Sequence, residues 1–439
     1  MDVKVDVSTI DAVRRRLAIE VPQQEVGTQI EKAYAELSRG ARVAGFRPGR
    51  APRAVLERMF GDRVRADVFG RLIQESYAAA LEEHKLEAVG QPEIVTEQAE
   101  PGSALRYSAT VEVKPDVVVE RYTGLEVQRP IVPVTEADLD AQLERLRHAF
   151  AQLHPVGDRT EIAHGDVVTL DYEARADGRL VGRAEQRNVE VGANGFPAEF
   201  DQVLQGAPVG AALEFDVTYP SEGAPPELAG KTVHFTVTPH AIARKELPAL
   251  DDEFAKDHGE CETLEELRRR VRQRLRDEAA RYADEAMRRA LLGALVRAND
   301  VPVPEAMVRR RTLALAEEVW HEWQQRRVLP QNESEALARL QTELEPQARE
   351  QVKLALVLEA IARQEGLQLG EEEIDAHVAE VAASAGAAAD RVRALYQQAE
   401  ARAHLRQRLL QARAIDTVVA RASITDVEVA SVAAENENR

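Results

Sequence analysis

From residue 263 to residue 421 the apolar residues keep returning at the spacing of one helix face. That period constrains the fold more than any other feature of the chain. Leu264, Leu267, Val271, Leu275, Tyr282 and Ala286 mark a first long amphipathic helix, because residues three, four and seven apart share a face. Thr263 and Glu266 stand at capping-box spacing at its start. Asn299-Asp300-Val301-Pro302 breaks it, and Pro304 suits the first turn of a second helix running to about 327. Pro330 and Pro346 then punctuate the chain, and helices are predicted over 347–365, 371–383 and 401–421. Trp320, Trp323 and the run Leu354-Ala355-Leu356-Val357-Leu358 fit a bundle core, or a concave apolar cradle for unfolded chains. Only 4% of residues are aromatic, which favours long helices over large β cores.

The first 114 residues read differently. Residues 3–7 and 14–21 alternate apolar and polar as strands do, and Pro22 ends the second. Val26, Ile30, Ala33 and Leu37 share a helix face over 23–38. Gly45-Phe46-Arg47-Pro48-Gly49-Arg50-Ala51-Pro52 follows, and its two glycines and two prolines make it a loop. Pro52 opens a short helix to Phe60, where Gly61 stops it. Asp62 then caps a longer helix to about 86, with Val64, Val68, Leu72, Ile73 and Leu81 as its buried stripe. Strands return at 93–97 and 105–113. Arg42, Arg47, Arg50 and Arg53 flank or occupy the loop without an intervening acid, on a chain of net charge -19. A cationic tip on an acidic body suggests a docking point for a polyanion, with Phe46 as an apolar anchor. A solvated basic loop with a buried Phe46 is the plain alternative.

Residues 115–154 carry Pro115, Pro130 and Pro133, look extended at 117–119 and 125–127, and turn helical from 135 to 153. They hold too many apolar residues for a flexible linker, so this arm is expected to pack as a strap. Residues 155–245 read as a β domain. Strands are expected at 167–173, 188–191, 213–219 and 232–238, with an Asp177-Gly178 hairpin turn and a short helix at 199–204.

Cys261 is the single cysteine, so there is no disulfide framework. The ten histidines show no ligand spacing. Gly192-Ala193-Asn194-Gly195 lacks the Lys-Ser/Thr of a phosphate loop, so no nucleotide, metal or other cofactor is expected. The first residues lack a basic region followed by an apolar run, and nothing approaches a membrane span. We expect a cytosolic protein with no membrane or DNA partner.

The loop resembles the Gly-Phe-Arg-x-Gly-x-x-Pro signature of trigger factors, a family of bacterial chaperones. Gly45, Phe46, Arg47, Gly49 and Pro52 match, and Pro48 stands where many members carry lysine. Lys114-Pro115-Asp116 with Tyr122-Thr123-Gly124-Leu125 resembles the family's arm. Asp251-Asp252-Glu253-Phe254 resembles its junction into the helical domain. The resemblance implies a multidomain α+β architecture. A small α+β ribosome-binding domain spans 1–114, and an arm packing on the C-terminal domain spans 115–154. An inserted FKBP-like β domain spans 155–245, and an elongated all-α chaperone domain with arms spans 246–439. It implies docking at the ribosomal exit tunnel through Gly45, Phe46, Arg47, Gly49, Arg50 and Pro52. It also implies shielding of nascent polypeptides without ATP, and possible homodimers off the ribosome. It implies peptidyl-prolyl isomerase activity too, with Tyr172, Phe200, Phe235 and Tyr219 lining the pocket and Phe196 nearby. Residues 179–188 lack the family's aromatic and hold Val181-Gly182 instead, so weak or vestigial activity is expected. Simple β-domain core is the other reading of those rings. Two alternatives stay open: an isomerase whose helices merely deliver substrate, and a chaperone that works free of the ribosome.

Overall fold

The computed structural model describes residues 3–40, 46, 52–100, 102–193, 196–220, 228–259, 261–326, 330 and 332–429. They form two compact units. One is built from Met1–Arg129 and Glu285–Asp426, the other chiefly from Pro130–Asp284.

The first unit begins with β1 (Lys4–Thr9), β2 (Arg14–Val21), α1 (Gln23–Gly40), α2 (Arg53–Glu83), β3 (Glu93–Gln98) and β4 (Leu105–Glu112). The strands pair antiparallel in the order β1-β2-β4-β3. Period-two alternation turns Leu105, Tyr107, Ala109 and Val111 of β4 inward beside Leu17, Ile19 and Val21 of β2. Leu56, Val64, Val68 and Leu72 of α2 complete this core. Ser76 is buried there without penalty. Its hydroxyl donates to the Leu72 carbonyl at 2.6 Å and meets the Tyr107 hydroxyl at 2.7 Å.

Gly61 does not stop a helix. α2 runs unbroken through it, and Gly61 is buried where α1 crosses. A Cβ added there would lie 3.5 Å from the Tyr34 hydroxyl. One glycine costs a helix only ~1 kcal/mol, less than the core that the continuous apolar stripe builds. The predicted N-cap, Asp62, instead lies inside the helix and pairs with Arg65.

The arm packs as a strap on helices of its own unit. Val117, Val119 and Val127 join Leu291, Leu295, Leu356, Val357, Ile361, Ala414 and Val418 in one core. The strap's backbone at 119 and 121 pairs with side-chain amides. Gln364 accepts from the Val119 N–H at 3.1 Å and donates back to its carbonyl at 3.2 Å. Buried Asn299 does the same for Arg121, at 3.2 and 2.9 Å. Between residues 115 and 135 only β5 (Glu126–Ile131) joins a ladder.

The second unit holds α3 (Glu136–Ala149), which Thr135 and Asp138 start with a capping box and which stops short of the expected 153. β6 (Gln152–Pro155), β7 (Asp166–Ala176), β8 (Arg179–Glu190), α4 (Ala198–Leu204), β9 (Leu213–Thr218) and β10 (Thr232–Glu246) follow. β7 and β8 turn at Asp177 (φ 52°) and Gly178 (φ 75°), the left-handed pair that two-residue hairpins require. β10 lies between β6 and β7 and also pairs with β9. α5 (Asp252–Asp257) and the start of α6 (Leu264–Ala298) pack on α3 through Leu139, Leu143, Phe254, Leu267 and Val271. Thr263 accepts from the Glu266 N–H at 3.3 Å, while the Glu266 carboxylate turns to Arg270 at 3.0 Å.

The helical part of the first unit continues with α7 (Glu305–Arg326), α8 (Glu333–Gln364), α9 (Glu371–Ser384), α10 (Ala389–Leu395), α11 (Ala399–Ala420) and β11 (Ser423–Glu428). Pro346 does not separate two helices but sits inside α8, at the cost of one backbone hydrogen bond. The helices pack through Val308, Leu315 and Ala348, and Arg349 grips Glu305 at 2.7 and 2.9 Å. β11 pairs with β5.

Candidate functional site

Two places carry residues singled out in the sequence. The first is the segment between α1 and α2. Phe46 is exposed, with 40% of its surface open to solvent. Pro52 is the cap residue of α2, with φ -62° and ψ 146°, and its carbonyl accepts from Val55 and Leu56 at 3.0 and 3.2 Å. Its fixed φ and missing N–H suit a helix start. Gly45, Arg47, Gly49 and Arg50, together with Arg42, lie outside the described residues. Arg53 does not belong to a free cationic tip. Its guanidinium carbon lies 3.6 Å from the centre of the Tyr34 ring, and it donates to Glu31 at 2.8 Å. That contact clasps α1 to α2 and spends the charge locally.

The second place is an aromatic cluster in the β domain. Antiparallel register sets Phe215 of β9 opposite Phe235 of β10, and Val237 opposite Tyr172 of β7. α4 adds Phe200, and Phe196 precedes that helix. Phe196 stacks on Phe200 with centroids 4.1 Å apart, and Phe200 meets Phe235 at 5.2 Å. Tyr172 stands 5.6 Å from Phe196 and 6.3 Å from Phe235. Tyr219 packs on the same core. Burial raises its hydroxyl pKa, and the neighbouring Tyr172 adds to the shift.

All four expected rings therefore gather, in two roles. Phe200 and Phe235 are 0% and 2% exposed, so they are packed core. Tyr172, Phe196, Phe215 and Tyr219 are half-buried and can touch a ligand. Phe215 went unnoticed in the sequence because it reads as one more apolar position of a strand. Arg187 was missed as well. It donates from Nη1 to the Tyr172 hydroxyl at 3.1 Å, and its guanidinium carbon lies 5.5 Å from the Phe196 ring centre. A cation thus edges the cluster on β8, the strand where an aromatic had been expected. No group of His, Cys, Asp or Glu among the described residues is placed to hold a metal ion. No helix among them is long and apolar enough to cross a membrane.

Known proteins resemble this chain along most of its length. The family model described as "Bacterial trigger factor protein (TF)" matches residues 3–146, and "Bacterial trigger factor protein (TF) C-terminus" matches residues 263–420. The chain is 39% identical to the trigger factor of Moorella thermoacetica over 86% of each chain. It is 35% identical to that of Desulforudis audaxviator over 97% of this chain and 98% of that one. It is 32% identical to that of Geobacter sp. (strain M21) over 98% of this chain and 100% of that one. A solved structure described as "Promiscuous Substrate Recognition in Folding and Assembly Activities of the Trigger Factor Chaperone" covers 94% of this chain and 98% of its own. Its TM-score is 0.51 at 20% identity, which supports the shared fold. With relatives matching almost from end to end, this chain belongs to the trigger factor family of bacterial chaperones.

Proposed function

We propose that this chain docks on the ribosome near the exit tunnel and shields emerging polypeptide, without nucleotide, in the cytoplasm. The observation that carries the proposal is Phe46, apolar yet 40% exposed, in the segment that joins two clasped helices. An exposed aromatic flanked in sequence by Arg47 and Arg50 suits a partner offering both an apolar pocket and phosphate. Because Arg53 is held by Glu31 and Tyr34, docking charge rests on Arg47 and Arg50. The test is co-sedimentation with ribosomes of the wild type and a Phe46→Ala/Arg47→Ala/Arg50→Ala variant. Lost binding with an unchanged melting curve is expected. Equal sedimentation of the two proteins refutes the docking claim.

The β domain, on this proposal, is a weak proline isomerase. Half-buried rings offer a poorly solvating surface on which an X-Pro bond can twist, against a barrier of ~18–20 kcal/mol. The reading is supported by the gathering of Tyr172, Phe196, Phe215 and Tyr219 around a packed Phe200–Phe235 floor. A protease-free assay of prolyl exchange should show a modest acceleration; a rate equal to the uncatalysed one refutes catalysis.

A further inference from the structure

Residue 187 would not face the aromatic cluster in a regular ladder. Tyr172 of β7 pairs with Ala184 of β8, so unbroken register would set Gln186 opposite Leu170. Instead Leu170 pairs with Arg187, and the register shifts between the two pairs. The extra residue is a β-bulge, a device that re-aims a side chain. Its backbone is held deliberately. Gln186 sits at φ 52°, a left-handed conformation rare outside glycine. Its N–H donates to Asp171 Oδ1 at 2.7 Å, and Asp171 Oδ2 is fixed by His240 Nε2 at 2.8 Å. The bulge therefore puts a guanidinium, in place of an amide, beside Tyr172 and Phe196.

That guanidinium is unspent. Among the described residues its polar contact is the Tyr172 hydroxyl alone, and no carboxylate lies within salt-bridge reach. The acids around it are otherwise engaged: Asp171 by Gln186 and His240, Glu185 by Arg183 at 2.6 Å. An exposed cation fixed over half-buried rings, with most of its N–H donors unmet among the described residues, is a half-built site for a carboxylate attached to an apolar group. Consecutive Cα atoms lie 3.8 Å apart. A proline ring on the aromatic face thus leaves the side chain of the adjoining residue within reach of Arg187, which stands 5.5 Å from the Phe196 centroid.

We infer that Arg187 is a specificity-determining residue that selects prolines flanked by an acidic residue. The inference rests on the isomerase reading for the role of the site, but its chemistry can be read from binding alone. The probes are short blocked peptides containing Ala-Glu-Pro-Phe or Ala-Phe-Pro-Glu, each beside its Gln counterpart, titrated calorimetrically into the full chain. Prolyl exchange of the same peptides is followed by proton NMR.

We expect one Glu peptide to bind about three- to ten-fold tighter than its Gln counterpart, the range of a partly exposed, charge-assisted contact. Arg187→Gln should abolish that difference and Arg187→Lys should retain part of it, which a purely structural role would not do. In the wild type the preference should fade near 1 M salt, where the Debye length is about 3 Å. That check holds even if a variant folds poorly. Equal binding of both Glu and Gln pairs, no binding of any peptide, or a preference that survives Arg187→Gln overturns the inference. Binding with the acidic preference but without accelerated exchange would sink the isomerase reading alone. Accelerated exchange without the preference would sink this inference alone.

Discussion

The Tyr107 hydroxyl shows how a single buried polar atom is made tolerable. It lies 2.7 Å from the Ser76 hydroxyl and 3.1 Å from the Ile73 carbonyl, and burial pushes its pKa up to about 12. Tyr107→Phe strips a partner from buried Ser76, so a loss of about 1–2 kcal/mol is expected in denaturant unfolding. A second residue-scale expectation concerns Arg349. Its two hydrogen bonds hold the Glu305 carboxyl below the ordinary 4.5. A carboxyl lowered in the folded state adds stability above 4.5 that is lost as the pH falls through the folded value. Arg349→Gln should therefore unfold more easily than the wild type at neutral pH, with the gap closing below pH 4.5. Both side chains are partly exposed, so solvent screening keeps the gap within ~1 kcal/mol. Resemblance to a family singled out Tyr172, Phe200, Phe235 and Tyr219, and packing draws those rings into one core. The resemblance could not reveal Arg187, whose place depends on a bulge created by pairing across strands.

At the scale of elements, the misreadings share one cause. In the sequence Gly61 and Pro346 read as boundaries because each is a poor helix former. Both helices continue because their apolar faces continue, and packing outweighs one local defect. The correction is testable. Gly61 lies inside a helix, and a Cβ there would meet the Tyr34 hydroxyl only at van der Waals distance. Gly61→Ala should stabilise the protein by about 0.5–1 kcal/mol, the helix-propensity gain; a helix stop at this position would give the opposite sign. Another element was invisible for a different reason. β11 is short and exposed, and its ladder partner β5 lies nearly three hundred residues earlier in the chain. Nothing local announces such a pairing. The strap was legible as apolar and extended, yet its hydrogen bonding was not, because Asn299 and Gln364 act as substitutes for a neighbouring strand.

At the scale of the whole molecule, the strands and helices of the first 114 residues, the β domain and the long helices after it were readable from period and punctuation. The two compact units were not, since the chain leaves the first at Arg129 and returns at Glu285. Two compact units imply two unfolding events. Asn299→Ala removes the partner of the Arg121 backbone N–H and carbonyl. It should lower the melting of the unit containing the strap and leave that of the β domain unchanged, as read by Tyr and Phe signals of the latter. A single transition shifted as one would contradict this. The strap has one more consequence. Val119 waits for Gln364, 245 residues downstream, and Gly124 for the carbonyl of Arg421 at 2.8 Å. Synthesis delivers these partners in the least convenient sequence, so each new copy spends most of its own translation with Val117, Val119 and Val127 uncovered. This member of a chaperone family is itself a half-made chain of the most demanding kind, closing only when its far end arrives.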